Sequence, residues 1–134
     1  MHGLTNVEGE GVVLKLEDNE EQQITSNHLL KLVNDLKYAG AEAISINNQR
    51  IVNTTDIVEI GENSTFIKIN SQRVSPPYEI KVIGDAEYLK STLIGVGYVS
   101  KIEGWGQKIE FDSKKKITIN KFNGKMNTKY IENN

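Results

Sequence analysis

Ala39-Gly40-Ala41-Glu42-Ala43-Ile44-Ser45-Ile46-Asn47-Asn48-Gln49-Arg50 decides the fold, because within this one stretch a helix stops, a buried strand runs and a polar turn follows. Gly40 sits where a left-handed residue ends a helix, a conformation glycine adopts without a Cβ clash. Upstream of it, Leu29, Leu32, Val33, Leu36 and Ala39 recur at helical spacing, so one face of a helix is apolar and Lys31, Asn34, Asp35 and Lys37 fall on the other. Thr25 or Ser26 supplies the oxygen that caps its first turn. Earlier still, Val12, Leu14 and Leu16 share one face of a strand, after a Gly9-Glu10-Gly11 lead-in that reads as flexible. The strand at 43–46 follows Gly40 after almost no loop, so strand, helix and strand form a βαβ unit with a right-handed crossover and two parallel strands. Asn47-Asn48 turns the chain because asparagine tolerates positive φ, and Arg50-Ile51-Val52 continues outward.

From 51 to 75 the pattern changes to short β segments. Residues 57–60 and 65–69 flank Gly61-Glu62-Asn63-Ser64, which is hairpin chemistry, and Asn70-Ser71-Gln72 turns into Arg73-Val74. Pro76-Pro77 then blocks ladder pairing ahead of an alternating strand at 78–83. Asp85 caps a second helix carrying Leu89, Leu93 and Ile94, and Gly95-Val96-Gly97 breaks it. Tyr98, Ile102 and Trp105 at helical spacing predict a short helical piece ending at Gly106, with a bulged strand as the alternative. Residues 108–111 and 117–119 alternate around Asp112-Ser113-Lys114-Lys115 as a C-terminal hairpin. Past Lys121 the chain is polar and aperiodic, which predicts a mobile tail. The division is an arm at 1–8, a single α+β domain at 9–120 and a tail at 121–134. Two βαβ halves in antiparallel association, with helices on one face, make a ferredoxin-like plait with an inserted β-hairpin and a C-terminal hairpin. That fold hosts unrelated functions, so function must come from a site.

Composition narrows the classes. The chain has 134 residues, enough for one core, and its 16 Lys and Arg stand against 18 Asp and Glu, so no overall field holds a polyanion. Nucleic acid is therefore not an expected partner. The absence of Cys removes disulfides, thiolate nucleophiles and Cys-based zinc sites together. No apolar run approaches the ~18 residues of a membrane span. His2 and His28 lack a second histidine at metal-ligand spacing, and the acid pairs Glu17-Asp18 and Glu20-Glu21 lie in a surface turn where nothing desolvates them. P-loop, dinucleotide and nucleophile-elbow motifs are missing, so no catalytic residue, metal or cofactor is expected.

The polar cluster Asn47, Asn48, Gln49 and Arg50 is the leading candidate site, since it follows the carboxyl end of a central strand and pairs an arginine with amides. Arg73 joins it if an anion is held; otherwise the cluster is a hairpin turn bonded to itself. Pro76, Pro77 and Tyr78 either present a rigid aromatic to a partner or deliver Tyr78 into the core. Tyr98 and Trp105 form either an exposed ledge or, as is commoner at helical spacing, part of the core. Lys114-Lys115-Lys116 reads as a solvated tip that discourages edge pairing.

Gly9-x-Gly11-Val12-Val13, then Leu32-Val33-Asn34-x-Leu36-x-x-Ala39-Gly40-Ala41-Glu42-Ala43-Ile44-Ser45-Ile46-Asn47-x-Gln49-Arg50, then Ser75-Pro76-Pro77-Tyr78-x-Ile80-x-x-Ile83-Gly84-Asp85, resemble the bacterial family called domain of unknown function 881. Asn48 stands where glycine is expected and Glu10 where proline is common. The resemblance implies an uncharacterised protein of the YlxW and YlxX kind, often encoded near division and cell-wall genes. It implies a membrane helix and a coiled coil that hold this domain on the extracytoplasmic side. It implies no reaction. The expectation is a non-enzymatic interaction domain of a membrane-anchored protein, with protein partners in cell division or envelope assembly. Self-association would run through the coiled coil and the edges of the 51–75 insertion. The alternative is a sensor that binds a small anion through the 47–50 turn and Arg73.

Overall fold

The apolar periodicity that begins at Leu29 needs a start signal, and Thr25 provides it in the computed structural model, which describes residues 3–61 and 66–122. The Thr25 hydroxyl accepts the His28 amide while His28 Nδ1 accepts the Thr25 amide at 2.9 Å, closing a reciprocal capping box. Helix α1 (Ser26–Tyr38) then buries Leu29, Leu32, Val33 and Leu36 and stops at Gly40, whose φ is +85°. Helices α2 (Ala86–Gly95), capped by Asp85, and α3 (Tyr98–Gly104) also lie close to their predicted places.

Strands β1 (Val7–Glu17), β2 (Ala43–Ile46), β3 (Gln49–Arg50), β7 (Tyr78–Ile83) and β8 (Lys108–Ile119) form one sheet. Their order is β3-β2-β7-β1-β8 and every neighbouring pair is antiparallel. β1 and β2 therefore run in the same sense but do not pair, because β7 lies between them. β1 likewise lies between β7 and β8. The parallel pair expected from strand, helix and strand is thus replaced by two interleaved crossovers, and β2 is next to the edge rather than central. Val12, Leu14 and Leu16 of β1, Ile44 and Ile46 of β2, and Ile80 and Val82 of β7 pack with the buried side chains of all three helices in one core. The insertion is a second antiparallel sheet, β4 (Ile57–Ile60), β5 (Phe66–Ile69) and β6 (Gln72–Val74) in that order.

Four expectations are corrected. Gly9-Glu10-Gly11 is no flexible lead-in: β1 runs through it, with a register shift against β8 between Gly9 and Gly11. The C-terminal hairpin is a single strand, because β1 is long enough to pair with residues 108–119 on both sides of the lysines. Lys114, Lys115 and Lys116 accordingly sit along an edge strand, where lysine discourages further pairing. Residues 3–8 of the expected arm belong to the domain, since β1 starts at Val7 and the Phe122 amide donates to the Gly3 carbonyl at 2.8 Å. Of the remaining expectations, His2, the Glu62-Asn63-Ser64 turn and most of the tail lie outside the described residues. Among the described residues no helix is long and apolar enough to cross a membrane.

Candidate functional site

Asn47 and Asn48 carry φ of 47° and 67°, and Ile46 pairs with Gln49, so two residues in left-handed conformations close the β2–β3 hairpin. The Asn47 side chain does more than turn the chain. Its Nδ2 donates to the Ser75 carbonyl at 2.9 Å and its Oδ1 accepts the Glu79 amide at 2.7 Å, while the Asn47 amide donates to the Glu79 carbonyl. The turn is thereby fastened to the segment that carries Pro76 and Pro77, whose shared peptide is cis. Asn48, Pro76 and Pro77 are exposed, and Gln49 is half-buried. Tyr78 goes the other way: it is buried at the start of β7, and burial, helped by the charges of Asp18 and Glu59, pushes its hydroxyl up to about 12. Tyr78 is core rather than a presented anchor.

Arg50 does not join that surface. It is 5% exposed, and its Nη1 donates to the carbonyls of Thr5 at 3.1 Å and Asn120 at 3.2 Å, so its guanidinium ties the two ends of the described chain together. Burial lowers its pKa from the usual value, yet a guanidinium stays charged. Its own carbonyl accepts from Asn70 Nδ2 at 2.8 Å, which locks the β5–β6 turn onto β3. Arg73 lies elsewhere: its guanidinium sits 4.2 Å above the Phe66 ring, and it lines a hollow of about 200 Å³ with Asp18, Thr25, Glu59, Pro76 and Tyr78. The shared anion site of Arg50 and Arg73 is therefore not assembled, because β3 turns Arg50 inward to the chain ends. The carboxylates of that hollow have tasks of their own. Asp18 Oδ1 accepts the Ile24 amide, and Glu59 Oε1 accepts the Ser26 amide at 2.6 Å and hydroxyl at 3.0 Å.

A second hollow, of about 370 Å³, lies between α1 and α3 and is lined by Asn27, His28, Lys31, Tyr98, Lys101 and Trp105 among others. The Tyr98 hydroxyl donates to the His28 carbonyl at 2.9 Å, and Tyr98 is core as expected, its pKa raised by burial and by Asp35. Trp105 is not core. It is 39% exposed and leans on the His28 ring, with centroids 4.5 Å apart at 44°. Helical spacing misplaced it because α3 ends at Gly104 and Trp105 is its C-cap. The signal for this hollow was His28 itself, an aromatic at the capping-box position that glutamate or glutamine usually holds. Burial lowers the pKa of His28, opposed by Glu59 and Asp18 and aided by Lys101. Among the described residues no three His, Cys, Asp or Glu side chains gather as metal ligands.

The chain is similar to two curated proteins of Bacillus subtilis (strain 168). UPF0749 protein YlxW is 29% identical over 100 residues, covering 68% of this chain and 42% of its own length. UPF0749 protein YlxX is 34% identical over 105 residues, covering 71% of this chain and 43% of its own length. The chain thus spans less than half the length of either. A crystal structure of an uncharacterized conserved protein from Mycobacterium tuberculosis superposes with a TM-score of 0.80 at 24% identity, over 92% of this chain and 87% of that one, and so shares the fold. The family described as bacterial protein of unknown function (DUF881) matches residues 1–132, and with that match this α+β chain belongs to it.

Proposed function

We propose that the chain is a non-catalytic docking domain of a membrane-anchored bacterial protein, acting on the extracytoplasmic side through protein contacts in cell division or envelope assembly. The observation that carries this reading is the pair of Asn47 side-chain bonds to Ser75 and Glu79. They join a two-residue turn to an exposed Pro76-Pro77 step and hold both in one arrangement before any partner arrives. Such preorganisation lowers the ordering cost of association. We read the order β2-β7-β1-β8 as a ferredoxin-like plait with β3 and the β4–β6 sheet added. The length of the relatives beyond the matched part leaves room for an anchor and a coiled coil that would pair copies. Photocrosslinking in living cells tests the reading, with the probe at Gln49 in one strain and at Lys115 in another. A defined protein adduct from Gln49 alone is the expected result. Turnover of a substrate that depends on Arg73 would sink it.

A second reading, a sensor for a small anion, rests on Arg73 at the rim of the 200 Å³ hollow. A ligand at 100 times its dissociation constant stabilises by ~2.7 kcal/mol, so a thermal-shift screen detects it, and Arg73→Ala must abolish the shift.

A further inference from the structure

We propose that the hollow between α1 and α3 is a binding site for a small carboxylate carried on a ring. Its volume of about 370 Å³ falls within the range of small-molecule pockets, roughly 300–1,000 Å³. Its wall combines two chemistries that a plain surface groove lacks. One is a large partly exposed ring, Trp105, propped against His28 and facing a cavity that also exposes Val96. A ligand ring finds there an aromatic face to stack on. The other is cationic. Lys31 and Lys101 both line the hollow, and no acidic residue does. Lys31 is held 2.9 Å from Asp35, whereas Lys101 makes no ion pair among the described residues. An exposed ammonium with no carboxylate partner, beside an aromatic plane, is suited to a carboxylate on a ring.

His28 adds a donor. Its Nδ1 accepts the Thr25 amide, so the proton of the neutral ring is on Nε2, and the ring can give a hydrogen bond without disturbing the cap. The site is separate from the Asn47 and Pro76-Pro77 surface, and neither proposal depends on the other. Two kinds of molecule share the required chemistry, sugar acids and aryl acids.

Trp105 is the only tryptophan in the chain, so its indole N–H gives one assignable signal in a ¹H–¹⁵N spectrum. The test titrates the protein with D-glucuronate and with benzoate, using D-glucose and benzyl alcohol as neutral counterparts. A saturable shift of the indole signal with at least one acid, absent with its neutral counterpart, is expected. In Lys101→Gln, whose substitution is on the surface, affinity should fall about fivefold or more while the rest of the spectrum stays unchanged. A response to glucuronate alone assigns the site to sugar acids, and to benzoate alone to aryl acids. No saturable shift with either acid, equal binding of the neutral compounds, or unchanged affinity in Lys101→Gln would each overturn the proposal.

Discussion

Gly11 is the tightest point of the main sheet. A Cβ there would overlap the Val82 carbonyl oxygen, a backbone atom that no rotamer change can move aside. Gly11→Ala should therefore destabilise by about 3 kcal/mol, near the upper end for overpacking. Gly9→Ala meets only the Ile83 side chain, at 3.2 Å, and should cost much less. Chemical denaturation of the two variants side by side checks the difference. Arg50 is the second decisive residue. Arg50→Ala would strand two carbonyls, those of Thr5 and Asn120, and should lower stability by about 2 kcal/mol, the scale of a hydrogen bond to a charged group. That loss should be seen in denaturant melts with no ligand present, which separates a structural arginine from one that waits for an anion.

At the scale of elements, α1 carries a pH dependence in its cap. His28 accepts the Thr25 amide through Nδ1, so only the neutral ring can complete the capping box. Burial holds the folded pKa below 6.5, and the unfolded chain therefore binds the proton first as pH falls. The contribution of His28 should be complete above pH 6.5 and lost as the pH falls from there through the folded pKa. Stability of the wild type and His28→Gln, compared at pH about 7.5 and about 5, should converge at the acid end, because glutamine keeps an acceptor and does not titrate there. Thr25→Ala should cost about 1 kcal/mol at either pH. The Thr25 cap was legible in the sequence as one of two candidates, and so were Gly40 and the Asn47-Asn48 turn, since each is decided by residues a few positions apart, whereas the reciprocal bond to His28 was not. Partner choice was not. Whether 108–119 folds back on itself or runs straight depends on the length of β1, at the opposite end of the chain, and no local pattern carries that. The same limit hid Arg50, whose partners are Thr5 and Asn120, and Trp105, whose neighbour is His28. Asn47 is where local chemistry coincides with tertiary contact, since the turn it closes is also fastened to Ser75 and Glu79.

For the molecule as a whole, two sheets must be held together. Glu59 of β4 reaches the first turn of α1 and Asn70 reaches the Arg50 carbonyl, so the small sheet is fastened by a few polar bonds besides its buried Ile57, Ile67, Ile69 and Val74. Glu59→Ala should raise hydrogen exchange in β4–β6 while leaving β1, β7 and β8 protected, which exchange monitored by mass spectrometry resolves segment by segment. Residues 3–6 and 120–122 run side by side, joined from Gly3 to Phe122 and from Asn6 to Lys121, with Arg50 bridging Thr5 and Asn120. A pull applied to those two ends draws them apart sideways and loads the bonds one after another instead of all at once. Under tension the domain opens as a zipper from this corner, and Arg50 is among its first teeth.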